Sequence, residues 1–206
     1  MKSLARVMLF GGSFDPIHVG HVGVARSAAQ QLAARVVLIP AAVPPHKRDR
    51  RLASAEHRLA MCRLAVTSEP QFEVSDWELH QPGPNYTLHT VAAFRISLPG
   101  DELYWLIGMD SLAELATWHR VAELVDACTI VTVRRPGQTL PNLDEQLGRV
   151  LSPAQRARLA THILETPAYD VSATRIRAAI RAGEDISAWV APRVAEYIRR
   201  NGLYRQ

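Results

Sequence analysis

The sequence predicts an α/β protein built on a doubly wound parallel sheet, and three observations carry that prediction. Short apolar or β-branched runs alternate with segments of helical periodicity from Arg6 to about Val133. The early runs are apolar at consecutive positions, as in parallel strands covered on both faces. Most end in a cluster of Gly, Pro or basic residues, where open α/β sheets place their ligands. From about 141 to 206 the texture changes to polar helices. One domain of 206 residues is expected, with a sheet core over about 1–140 and a helical C-terminal part over about 141–206.

Arg6–Phe10 is the first strand, and Val22, Ala25, Ala29 and Leu32 mark a helix ending near Ala34. Val36–Ile39 follows as a buried strand that runs into Pro40-Ala41-Ala42-Val43-Pro44-Pro45-His46-Lys47. There His46 and Lys47 either face an anion or begin a solvated basic run with Arg48, Arg50 and Arg51. Ser54 caps a helix with Leu59, Cys62 and Val66 inside, stopping before Pro70. Phe72 and Val74 alternate with polar neighbours as a half-exposed strand, extended by Trp77-Glu78-Leu79. After the turn Gln81–Asn85, Tyr86-Thr87 opens a helix with Leu88, Val91 and Ala92 on one side. Leu103–Ile107 is the most apolar strand and ends at Gly108-Met109-Asp110-Ser111. Ser111–Ala116 and Val121–Val125 are short helices around Thr117-Trp118-His119, and Cys128–Val133 is a further strand ending in Arg134-Arg135-Pro136-Gly137. Beyond it, Leu143, Leu147 and Val150 form an inner face, and Pro153 starts a helix to about Ala160. Helical spacing resumes from Val171 through Ile180, and Pro192–Arg200 is a last amphipathic helix stopped by Asn201-Gly202.

Composition narrows the function classes. The net charge of +4, from 24 Lys and Arg against 20 Asp and Glu, suits an anionic small molecule, and no long basic run or aromatic–basic interleaving points to nucleic acid. No apolar run approaches the roughly 20 residues of a membrane helix, and no signal-peptide pattern opens the chain. Cys62 and Cys128, each inside an apolar segment, read as buried thiols of a reducing cytoplasm.

The chemistry gathers at Gly11-Gly12-Ser13-Phe14-Asp15-Pro16-Ile17-His18-Val19-Gly20-His21. A glycine-rich turn from strand to helix presents backbone N–H groups to phosphate. It lacks the Gly-Lys-Ser/Thr of a P-loop and the G-x-G-x-x-G register of a dinucleotide fold. His18 and His21 have no neighbouring third ligand and no H-E-x-x-H pattern for zinc, and Ser13 has no nucleophile-elbow context. Histidines donating to phosphate oxygens fit the turn better. Ser172 and Thr174 read either as ordinary caps or, with Arg177, as a second phosphate-facing group. Trp118 reads either as packing or as a stacking platform.

With those residues in view, the chain resembles the nucleotidyltransferase superfamily, whose members carry H-x-G-H after the first strand and a second phosphate motif matched here by Ser172-x-Thr174-x-x-Arg177. Along nearly its whole length it is similar to the bacterial nicotinate-nucleotide adenylyltransferases, through Pro44-Pro45-His46-Lys47, Tyr86-Thr87, Gly108-Met109-Asp110-Ser111-Leu112, Thr117-Trp118, Arg135-Pro136-Gly137 and Gly202-Leu203-Tyr204. The resemblance implies a Rossmann-like nucleotidyltransferase fold and a cytoplasmic enzyme of NAD biosynthesis. The reaction would be adenylyl transfer from ATP, with Mg2+ on its phosphates and no metal held by the protein alone, to nicotinate mononucleotide. It implies catalytic roles for His18, His21 and Arg177. ATP would be bound by these three with Gly11, Gly12, Ser13, Phe14, Gly108, Asp110, Ser172 and Thr174. The acceptor would meet Lys47, Tyr86, Thr87, Trp118 and Arg135. Competing readings are another adenylyl- or cytidylyltransferase of the same fold, with a nicotinamide mononucleotide or phosphopantetheine acceptor, and a non-catalytic nucleotide sensor. Neither nucleic acid nor membrane is an expected partner, and a homodimer stays open.

Overall fold

The structure is a computed structural model that describes residues 4–42 and 52–205. Six parallel strands form one sheet: β1 (Arg6–Gly12), β2 (Arg35–Pro40), β3 (Phe72–Val74), β4 (Glu102–Gly108), β5 (Thr129–Arg134) and β6 (Ile163–Glu165). Their order is β3-β2-β1-β4-β5-β6. The chain thus winds outward from β1 in one direction, then returns to its other side at β4. That reversal opens a crevice beyond the C-terminal ends of β1 and β4. Leu9 stands at the junction, paired with Val37 on one side and Trp105 on the other.

Period-two alternation divides each strand between two apolar layers. Met8, Val36, Leu38, Tyr104, Leu106 and Val131 share one layer with buried residues of α1 (Val19–Leu32), α2 (Ala55–Ala65), α8 (Ala173–Ala182) and α9 (Pro192–Arg200). Val7, Leu9, Val37, Ile39, Leu103, Trp105 and Ile107 share the other with α3 (Thr87–Ser97), α5 (Val121–Ala127), α6 (Leu143–Leu147) and α7 (Pro153–Ala160). A short α4 (Met109–Ala113) follows β4 directly.

Several expectations need correction. Trp77–His80 is a 3₁₀ helix rather than a continuation of β3, because the Glu78 side chain turns inward onto Thr90 instead of alternating outward. β6 was not expected in the helical C-terminal part; it completes the sheet by pairing with the edge of β5. Val150 and Ala92 are exposed, and the buried positions of their segments are Leu147, Leu151 and Val91. The helix expected to start near Val22 starts at Val19, so His18 is its N-cap. Cys62 and Cys128 are buried free thiols, as expected, and burial raises both above the ordinary thiol pKa. No helix among the described residues is long and apolar enough to cross a membrane.

Candidate active site

The turn after β1 is shaped by close packing beneath it. A Cβ at Gly11 would stand 2.6 Å from the Trp105 ring, and one at Gly12 would meet the Phe14 ring at 3.0 Å. Phe14 takes a left-handed backbone (φ 45°) and buries its ring under the turn. There it meets Phe10 and His21 edge-on at 5.4 and 5.2 Å. Gly11, Gly12 and Phe14 therefore shape the turn from below.

His18 and His21 form a reciprocal capping box. His21 N–H donates to His18 Nδ1, and His18 N–H donates to His21 Nδ1, both at 3.3 Å. The rings stack 3.6 Å apart. A neutral imidazole that accepts at Nδ1 carries its proton on Nε2. Burial lowers the His18 pKa from its ordinary 6.5 to about 4, so His18 is neutral at physiological pH. The helix cap thus selects the tautomer that donates from Nε2.

Gly20 and Gly23 bring the second motif to the first. A Cβ at Gly20 would lie 3.0 Å from Val171, and one at Gly23 would lie 2.2 Å from the Tyr169 hydroxyl. Close approach at these glycines seats the segment preceding Ser172 on α1. Ser172 caps α8, its Oγ accepting from Arg175 N–H at 3.2 Å. A hydroxyl used as an acceptor keeps its own O–H to donate. Capping and phosphate contact are therefore compatible uses of Ser172.

These parts surround a cavity of about 590 Å³ at the C-terminal ends of β1, β4 and β5. Ser13, His18, His21, Gly108, Asp110, Arg135 and Ser172 line it, with Asp15, Arg134, Gln138 and Tyr169, which the sequence did not nominate. Gly108 has open space where a Cβ would project. Arg134 is paired with Glu165 at 3.2 Å, whereas the Arg135 N–H donates to Gln138 Oε1 at 2.8 Å. Thr174 and Arg177 are outside this lining; Arg177 donates to Asp15 O at 2.6 Å and to Thr174 Oγ1 at 3.2 Å.

Tyr86, Thr87 and Trp118 meet elsewhere, in a small cavity of about 100 Å³ shared with Asn85, Thr117, His119 and Leu124. Tyr86 is the N-cap of α3 and makes no side-chain cap bond there. The His119 ring stacks on Tyr86 with centroids 4.3 Å apart. Lys47 lies outside the described residues.

Arg58 is a further buried residue that sequence reasoning missed. Only 1% exposed, it donates to the carbonyls of Ala53, Ser13 and Ala42 at 3.0, 2.8 and 3.2 Å. It thereby ties the turn after β1 to residues near both ends of segment 43–51. Its place on the inner stripe of α2, four residues before Cys62, was the available signal.

A cytidylyltransferase-like family model matches residues 9–179. A protein of Moorella thermoacetica is 40% identical over 202 residues, covering 97% of this chain and 92% of its own. One from Thermus thermophilus is 39% identical over 201 residues, covering 97% of this chain and all of its own (100%). Both are described as probable nicotinate-nucleotide adenylyltransferase. The chain belongs to the nicotinate-nucleotide adenylyltransferase family. Its fold agrees with that of a Plasmodium falciparum nicotinic acid mononucleotide adenylyltransferase solved with NaAD, at a TM-score of 0.74 and 16% identity over 97% of both chains. In this adenylyltransferase the H-x-G-H turn and Ser172 thus open on one cavity, while Tyr86, Thr87 and Trp118 line a separate one.

Proposed function

We infer that this adenylyltransferase transfers the adenylyl group of ATP to nicotinate mononucleotide, giving nicotinate adenine dinucleotide and pyrophosphate. The observation that carries the reading is the convergence of His18, His21 and Ser172 on one cavity, with a second pocket at the start of α3. In the reaction an oxygen of the mononucleotide phosphate attacks the α-phosphorus of ATP. The bond from that phosphorus to the bridging oxygen breaks, and pyrophosphate leaves with the electron pair. A phosphate monoester with a second pKa near 6 is mostly dianionic at neutral pH, so the step needs no general base. The work of the protein is alignment and stabilisation of charge on the triphosphate.

The Nε2–H groups of His18 and His21, with Ser13, are the donors proposed for one end of the triphosphate. Ser172, Thr174 and Arg177 are those proposed for the other. Neutral His18 donates without a fixed charge, so it favours an oxygen whose negative charge grows in the transition state. Asp110 and Gly108 stand at the proposed adenosine side. No group of three His, Cys, Asp or Glu side chains among the described residues could hold a metal ion. Mg2+ would be carried by phosphate oxygens and water, with Asp110 one of the two carboxylates lining the cavity, and would supply charge neutralisation.

For the acceptor, the N-terminal N–H groups of α3 favour an anion, and Tyr86 leaves them without a side-chain cap. A pyridine carboxylate gains from that field, and a carboxamide does not. Trp118 supplies a face for the ring, Lys47 a cation for the phosphate, and Arg135 a further donor beside both substrates. A pyrophosphate-release assay with ATP and either mononucleotide tests the reading. Nicotinate mononucleotide is expected to react and nicotinamide mononucleotide to be poor. Equal or reversed preference overturns the acceptor assignment, and no release with either overturns the reaction.

A further inference from the structure

The chemistry above makes no use of one carboxylate in the turn after β1. Asp15 is 2% exposed, yet it borders the triphosphate cavity. Its Oδ1 accepts from Tyr204 Oη–H at 2.7 Å and from Ala53 N–H at 3.1 Å. Its Oδ2 is buried with no hydrogen-bond partner among the described residues. Arg177 stands over that oxygen: Nη1 lies 3.7 Å from Oδ2 while donating to the Asp15 backbone oxygen at 2.6 Å. A second edge of the guanidinium is fixed by the Thr174 hydroxyl at 3.2 Å.

A carboxylate withdrawn from water needs opposite charge and donors around it. Arg177 and the buried Arg58 supply the charge, and Tyr204 supplies a hydroxyl donor. Burial, then the adjacent Asp15 charge, raise the Tyr204 phenol above its ordinary range, so it stays a donor. Four stretches therefore meet at one side chain: the turn after β1, the segment entering α2, the N-terminal half of α8, and the residues around Tyr204. Arginine is planar, so holding Nη1 and Nη2 settles how its remaining N–H groups are presented.

We propose that Asp15 is a positioning residue that holds the Arg177 guanidinium in one orientation beside the triphosphate cavity, with Tyr204 aiming the carboxylate. The inference rests on the ATP reading above.

The test is a double-mutant cycle with Asp15→Asn and Arg177→Ala, read as MgATP affinity by calorimetry and as KM for each substrate. Asparagine keeps the acceptor for Tyr204 and turns an N–H2 toward Arg177. With Arg177 present, Asp15→Asn is expected to weaken MgATP binding about tenfold and to leave the KM for the mononucleotide within about twofold. In the Arg177→Ala background the same change is expected to cost less than about twofold. Equal losses in both backgrounds, or equal loss for both substrates, overturn the proposal. Should Asp15→Asn fail to fold, Tyr204→Phe carries the same cycle with an expected loss of about threefold that vanishes without Arg177. Affinity for MgATP needs no acceptor, so the two readings fail separately. A wild-type protein that binds MgATP with this coupling but releases no pyrophosphate overturns the reaction alone.

Discussion

At His18 one ring closes a helix and faces a cavity, and the first use decides the second. Its Nδ1 is committed to the His21 N–H, so the proton available to a ligand sits on Nε2. His21 repeats the arrangement with the His18 N–H. Replacing His21 by alanine removes a donor and half of the capping box. Turnover should fall by roughly 10²–10³, the range for losing one preorganised transition-state donor. The loss of cap stability should be only about 1 kcal/mol. Steady-state kinetics together with urea unfolding would separate the two effects, and near-normal turnover in a folded variant would remove His21 from catalysis. The histidines were legible in the sequence because few other uses exist for them at a glycine-rich helix entrance. Arg58 was not. An arginine at a helical inner position resembles a surface residue until its three carbonyl partners, from the turn after β1 and the connection between β2 and α2, are in view.

Among the elements, the start of α3 and the segment after α4 make the proposed acceptor pocket together, though neither forms it alone. Trp118 follows a 3₁₀ turn, Leu115–Thr117, and borders a cavity with Tyr86 and Thr87 from the α3 N-terminus. Its expected substitution effect is selective: Trp118→Ala should raise the KM for nicotinate mononucleotide about tenfold or more, the scale of a lost aromatic face. The KM for ATP should change little. Equal changes for both substrates would return Trp118 to a packing role. At this scale the central strands were legible, because β1, β2 and β4 contain continuous apolar runs and β5 a β-branched one, with turn residues at their ends. β6 was not, since Ile163-Leu164-Glu165 is too short to show a period and exists by pairing with β5. The Trp77–His80 turn failed for a related reason. Three residues of apparent alternation cannot distinguish a strand from a 3₁₀ helix whose buried glutamate bonds to a neighbouring helix.

For the whole molecule, the two proposed substrate sides carry buried titratable groups of opposite sign, and stability should register both. His18, which lines the cavity proposed for the triphosphate, is lowered by burial to about 4. The unfolded chain therefore binds its proton first, and stability is lost as pH falls from about 6.5 toward 4. Glu78 lies behind the acceptor pocket, its backbone oxygen accepting from Asn85 Nδ2 at 3.3 Å. Burial raises its pKa to about 7, against the opposing pull of the Thr90 hydroxyl bond and the Arg58 charge. Folding then favours the protonated acid, so its contribution is present below about 4.5 and lost as pH rises through 7. Between these limits the two slopes oppose each other and the wild-type curve should be shallow. Glu78→Gln removes one of them while keeping an acceptor for Thr90. The variant should gain on the wild type by up to about 3 kcal/mol between pH 4 and pH 8, at about 1.4 kcal/mol for each tenfold change in proton affinity on folding. Its own stability should rise steadily from pH 4 to about 6.5 as His18 in the unfolded chain loses its proton. Urea midpoints across that range provide the measurement. A wild-type-to-variant difference that stays constant with pH would mean that Glu78 has the same proton affinity in the folded and unfolded chains, with the Thr90 bond and the Arg58 charge offsetting its burial.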